Sequence, residues 1–87
     1  MALLDLLGRR WAMRAIWELR DGPLTFRELQ RACGGISSSV LSDRIRELRE
    51  AGIVGDGCEL TPAGYDLLAA YEPLGAWARR WAGGRQR

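Results

Sequence analysis

Apolar residues recur along the chain mostly at helical spacing, and glycine or proline marks nearly every break between the periodic segments. Leucines at 3, 4, 6 and 7 predict a short helix over 2–7 that ends at Gly8. From Trp11 to Arg20 the apolar residues Trp11, Ala12, Met13, Ala15, Ile16, Trp17 and Leu19 lie nearly all round the axis, which predicts a buried central helix. Asp21-Gly22-Pro23 stops it. Thr25-x-x-Glu28 is a capping box that starts a third helix, with Phe26, Leu29 and Ala32 inward and Arg27, Gln30 and Arg31 outward. Gly34-Gly35 closes it, because glycine adopts a left-handed cap readily.

Ser37 caps the next helix. With Val40 at zero and about 100° per residue, Val40, Arg44, Leu48, Leu41 and Ile45 span roughly 0 to 140°. Ser42, Arg46, Ser39 and Glu50 fall at roughly 200 to 280°, with Ser38 and Asp43 at the margins of that polar face. Arg44, inside the apolar arc, is expected to pack its stem and reach outward with its head. Ala51-Gly52 ends this helix. Asp56-Gly57 then predicts a two-residue hairpin turn that pairs 53–55 with 58–60 and sets Ile53 opposite Leu60. Thr61-Pro62 opens a last helix with the seam Leu67, Tyr71, Leu74, Ala78 and Trp81, in which Pro73 is expected to produce a kink or split. The tail over 83–87 is expected to fray.

These elements predict a mainly α fold with a small β-hairpin, a winged helix-turn-helix, in one domain spanning 1–87. A short helix, a glycine turn and a second helix with a serine-and-arginine face form a device for entering the DNA major groove. Short hydroxyl side chains let such a helix sink deep and bond either base type, while arginine matches guanine or phosphate. The expected DNA-contacting residues are therefore Ser37, Ser38, Ser39, Ser42, Asp43, Arg44 and Arg46. Thr25, Arg27, Gln30 and Arg31 are expected to hold the backbone, where contacts fix register without reading sequence. Arg9, Arg10 and Arg14 either join them or keep the surface solvated.

Composition changes this picture little. The 87 residues are 47% apolar and carry a net charge of +2, so bulk charge argues only weakly for nucleic acid. All 13 cations are arginine, which suits phosphate and guanine but also reflects a codon bias towards G and C. With no histidine or lysine there is no evident general base, no phosphate-cradling loop and no metal constellation; no enzyme activity, metal or cofactor is expected. The two cysteines, Cys33 and Cys58, are spaced as neither a redox nor a zinc motif and are expected to be free thiols. The first residues do not have the order of a secretion signal and no apolar run is long enough for a membrane, so a cytoplasmic location is expected.

The chain resembles the HxlR-type transcriptional regulators, winged helix-turn-helix proteins of bacteria. The resemblance rests on Leu6-Leu7-Gly8-Arg9-Arg10-Trp11, Glu18-Leu19, Asp21-Gly22-Pro23, Phe26-x-x-Leu29, Gly35-Ile36-Ser37, Leu41-Ser42-x-Arg44-Ile45-Arg46-Glu47-Leu48, Ala51-Gly52-Ile53-Val54 and Leu60-Thr61-x-x-Gly64. MarR-type winged helices share several of these motifs; their ordered run from residue 3 to about 81 is the specific part.

The resemblance implies a homodimeric DNA-binding regulator, expected to be a repressor on a pseudo-palindromic operator. Its dimer would form through the terminal helices, about 2–20 and 62–82, with Leu3, Leu4, Leu7, Trp11, Leu67, Tyr71, Leu74, Trp77, Ala78 and Trp81 at the interface. Two departures stand out. The hairpin is shorter than the usual wing, and its tip carries Asp56 and Glu59 with no cation. Redox-sensing relatives place a cysteine ahead of the first helix, and no cysteine stands there in this sequence. The acidic tip and modest charge leave an alternative open, an interaction module that does not bind DNA. Four tryptophans near the two ends leave another, a regulator that answers to a small aromatic effector.

Overall fold

A computed structural model describes residues 2–85, with helices α1 (Ala2–Leu7), α2 (Ala12–Glu18), α3 (Phe26–Ala32), α4 (Ser38–Glu50) and α5 (Pro62–Arg85). The order and type of the helices follow the periodicity of the sequence. No helix among the described residues is long and apolar enough to cross a membrane.

α2 is the centrepiece and packs against each of the other four helices. Ala12, Ala15, Ile16 and Leu19 on and just beyond it are fully buried, and the last three join Leu29 of α3 and Leu41, Ile45 and Leu48 of α4 in one core cluster. Small residues at 12 and 15 let the neighbouring helices approach closely. The helix is shorter than the expected span of 11–20. Trp11 has φ 78°, a left-handed conformation that bends the chain between α1 and α2, so it caps the helix from outside. An L-residue held there costs about 1–2 kcal/mol, which packing of the indole against the core offsets.

The turn between α3 and α4 needs two successive left-handed residues, and Gly34 (φ 80°) and Gly35 (φ 90°) supply them. Buried Ile36 then pins the turn to the core.

The expected hairpin is reduced. Among the described residues no strand forms, and one antiparallel bridge joins Val54 to Leu60 in place of the expected Ile53–Leu60 pair. The cause is one extra loop residue. Cys58 N–H donates to Gly55 O at 3.2 Å and Gly55 N–H to Glu59 O at 2.8 Å, so the loop comprises 56–58, with Cys58 left-handed at φ 58°. Gly57 keeps a negative φ, so the tight turn of two left-handed residues expected for Asp56-Gly57 does not form. Ile53, Val54 and Leu60 are all buried even so.

α5 begins against this turn. Thr61 Oγ1 donates to Gly52 O at 2.5 Å and accepts from Gly64 N–H at 3.1 Å. Gly64 is the point of closest approach: a Cβ there would sit 2.4 Å from Ile53 O. The helix then runs through Pro73 without the expected split and continues through Gly83 and Gly84 to Arg85, where fraying was expected. Proline leaves the Ala69 carbonyl without its helical donor, but Ala69 is exposed and water can take that role. The last two residues of the expected tail, 86 and 87, lie outside the described residues.

Candidate nucleic-acid interface

The local chemistry of the expected reading surface starts with two caps. Thr25 Oγ1 accepts from Glu28 N–H at 3.1 Å while Glu28 accepts from Thr25 N–H at 2.8 Å, completing the capping box. The Thr25 backbone N–H, and then its hydroxyl, hold the Glu28 carboxyl below its ordinary pKa, so it is charged at neutral pH. Ser37 Oγ accepts from Val40 N–H at 3.3 Å, and this cap starts α4. The Ser37 hydroxyl keeps its own proton free to donate.

From that start α4 presents Ser38, Ser39, Ser42, Asp43 and Arg46 as exposed side chains on the face opposite Leu41, Ile45 and Leu48. Arg46 lies 3.5 Å from Asp43 and 3.9 Å from Glu50, with its side chain 62% exposed. Such solvent-screened pairs contribute little, so the guanidinium can exchange them for a phosphate or a base. Arg27 and Arg31 on α3 are exposed and make no ion pair among the described residues. Together with Gln30 and Gly35 they line a shallow depression of ≈ 370 Å³ beside the turn, and no acid lines it. Two exposed guanidinium groups at an open hollow suit a phosphate.

Three expected contacts are placed otherwise. Arg44 turns inward: its Nε donates to Arg10 O at 3.0 Å and its Nη1 pairs with Glu47, which also takes Arg9 at 2.8 Å. Only 17% of the Arg44 side chain is exposed, so its head does not reach out as expected. Its angular position aims it at the α1–α2 turn, where a carbonyl and a carboxylate await it. Gln30 is half-buried and donates from Nε2 to Ile36 O at 2.9 Å, bracing the turn. Arg14 is likewise engaged within the fold, donating to Glu18 at 2.8 Å and to Ala32 O at 2.8 Å. Glu47, named above only within the family-like motif, carries a pairing role that its place in the motif did not announce. Its spacing of three from Arg44 was the available signal.

The remaining expected residues divide by exposure. Leu3, Leu4, Tyr71, Leu74, Trp77, Ala78 and Trp81 are exposed, and the Trp77 and Trp81 rings stack with centroids 6.2 Å apart. Leu7, Trp11 and Leu67 are half-buried and pack on the core instead. The cysteines stand apart from the reading surface. Cys33 is buried and Cys58 half-buried, and burial pushes both thiols up, against the opposing pull of Arg14 on the first and Arg49 on the second.

The HxlR-like helix-turn-helix family model matches residues 6–86. The chain belongs to that family. It is 34% identical over 84 residues to the HTH-type transcriptional regulator YodB of Bacillus subtilis, spanning 85% of this chain and 75% of YodB. It is also 28% identical over 88 residues to YvaP of the same organism, an uncharacterised HTH-type transcriptional regulator, spanning 90% of this chain and 82% of YvaP. The crystal structure of quinone-bound YodB superposes with a TM-score of 0.84 at 34% identity, covering 91% of this chain and 93% of that one. The chain is thus a DNA-binding transcriptional regulator of the HxlR type, in a family of regulators rather than enzymes. The fold is mainly helical, with winged helix-turn-helix proteins as its structural neighbours.

Proposed function

We propose that this HxlR-type regulator acts as a symmetric homodimer, binding a pseudo-palindromic operator and repressing the adjacent promoter. The observation that carries this reading is the open face of α4, where Ser38, Ser39, Ser42, Asp43 and Arg46 are all exposed among the described residues. In this reading those side chains meet base edges, with the Ser37 hydroxyl at the mouth of the groove. Thr25, Arg27 and Arg31 grip the phosphates on either side, and Gln30 and Arg44 hold the reading helix in place from behind.

The second support is the apolar surface left on the terminal helices. Leu3 and Leu4 on α1 and Leu74, Trp77 and Trp81 on α5 are between 42% and 60% exposed, more than isolated surface leucines require. A second copy packed on these residues would bury them and face two α4 helices towards successive major grooves about 34 Å apart. The turn over 55–59 takes the place of a wing. Its exposed Asp56 would face phosphate repulsion in a minor groove, so this reading assigns it no DNA contact.

A salt titration against the operator tests the proposal. Binding carried by Arg27, Arg31 and Arg46 on both protomers weakens steeply between about 50 and 200 mM salt. An affinity that barely responds would mean that the arginine surface does not meet phosphate.

A further inference from the structure

One cleft stands apart from the DNA-reading surface. It lies between α2 and α5, has a volume of ≈ 330 Å³, and is lined by Met13, Arg14, Trp17, Tyr71 and Arg79. Volumes of this size begin the range of small-molecule sites. The lining pairs two aromatic rings and a thioether with two guanidinium groups, and no carboxylate is among them. Arg79 makes no ion pair among the described residues, although Glu72 lines the neighbouring part of the same depression. Trp17 is steadied by Arg20, whose guanidinium lies 4.2 Å from the ring centroid and donates to Trp17 O at 3.0 Å.

Behind two of the lining side chains stands a residue that helix propensity disfavours. Gly75 is buried in the interior of α5, where glycine costs about 1 kcal/mol relative to alanine. Around it stand the Tyr71 ring, 3.5 Å from where a Cβ would lie, and Arg79 Nη1 at 3.6 Å. Gly75 itself lines the adjoining part of the depression, beside Glu72, and its bare backbone leaves the Tyr71 ring and the Arg79 guanidinium room to line the cleft. The exposed dimer-type stripe lies elsewhere on the same helix. With Tyr71 at zero, Gly75 and Arg79 fall at roughly 40 and 80°, whereas Trp77, Trp81 and Leu74 fall at roughly 240 to 300°.

We propose that this cleft binds a small planar aromatic carboxylate, its ring against Trp17 and Tyr71 and its carboxylate drawn to Arg79 and Arg14. Arg14 gives the site a line to the helix-turn-helix, since the same guanidinium reaches Ala32 O at the end of α3. A carboxylate drawing Arg14 from Glu18 and Ala32 loosens the turn that orients α4. This coupling rests on the DNA-binding reading, but the binding itself does not.

Sodium benzoate titrated into the DNA-free protein at constant ionic strength tests the site, with tryptophan fluorescence as the readout and benzyl alcohol as the uncharged control. Saturable quenching is expected, at least tenfold weaker for benzyl alcohol and for Arg79→Gln. Trp17→Phe should remove most of the signal, and Gly75→Leu, confirmed as folded by circular dichroism, should abolish binding. Equal affinities for the two probes, or an affinity unchanged in Arg79→Gln, would overturn the assignment. Saturating benzoate is then expected to weaken operator binding several-fold. Benzoate that binds but leaves operator affinity unchanged would overturn the coupling alone, and loss of operator binding without benzoate would fault the DNA reading alone.

Discussion

Replacing Gly64 with alanine tests how closely α5 is pressed against the turn over 53–60. In an unobstructed helix the added methyl would stabilise by up to about 1 kcal/mol. At this position the new Cβ would lie 2.4 Å from the Ile53 carbonyl oxygen and 3.2 Å from both Cβ and Cδ2 of Leu60. The nearest obstacle is backbone, and that carbonyl also accepts from Thr61 N–H at 3.0 Å, so it cannot swing away without breaking the junction. Overpacking of this kind costs roughly 1–3 kcal/mol. Set against the full propensity gain, the net expectation is a loss of up to about 2 kcal/mol, or up to roughly 16 °C in Tm for a domain of this size. Gly75→Ala is the internal control: it sits in the same helix with ordinary contacts of 3.5 Å and beyond, and should stabilise. Thermal melts of both variants at one protein concentration give the comparison. If Gly64→Ala melts as high as Gly75→Ala, the close approach does not exist and the argument fails.

Arg46→Ala should cost about 1–3 kcal/mol of operator affinity if the side chain reads a base, or lower the salt slope by about 1 if it holds a phosphate; affinity and slope both unchanged would remove it from the interface. Arg44→Gln should leave the salt slope untouched and lower stability by about 1–2 kcal/mol in denaturant melts, because its partners Glu47 and Arg10 O lie within the fold. Glu28 has a depressed pKa, so its stabilising effect is present above the ordinary value of about 4.3 and is lost as pH falls through the lower native one. Glu28→Gln should flatten that part of the stability-against-pH curve, and an unaltered curve would show the capping box to be unimportant. Trp77→Ala should weaken self-association by about 2 kcal/mol or more in sedimentation equilibrium if the exposed stripe is an interface centre; an unchanged constant would place the interface elsewhere.

The helices could be read from the sequence because their signals are local. Thr25-x-x-Glu28, Ser37 and Gly34-Gly35 each act within one turn of chain, and each operates in the structure as its residue type demands. The bridge register could not be read because it depends on a left-handed residue at 58, where cysteine gives no sign of the conformation that glycine would announce. The inward turn of Arg44 was half visible. Its place in the apolar arc was clear, but its acceptor at Arg10 depends on how the α1–α2 turn is folded, through a positive φ at Trp11 that indole does not favour. The cleft beneath Trp17 was less visible still. Met13 and Arg79 are more than sixty residues apart, and only tertiary packing brings them to one site.

The central claim is that the exposed face of α4, doubled by symmetry, reads DNA. Selection of bound duplexes from a random oligonucleotide pool tests it most directly, with the Arg46→Ala variant selected in parallel. The expected result is a two-fold symmetric consensus whose half-sites lie about 10 base pairs apart, with the preference relaxed at matching positions of both half-sites in the variant. Recovery of no consensus, or of one identical for both proteins, would contradict it.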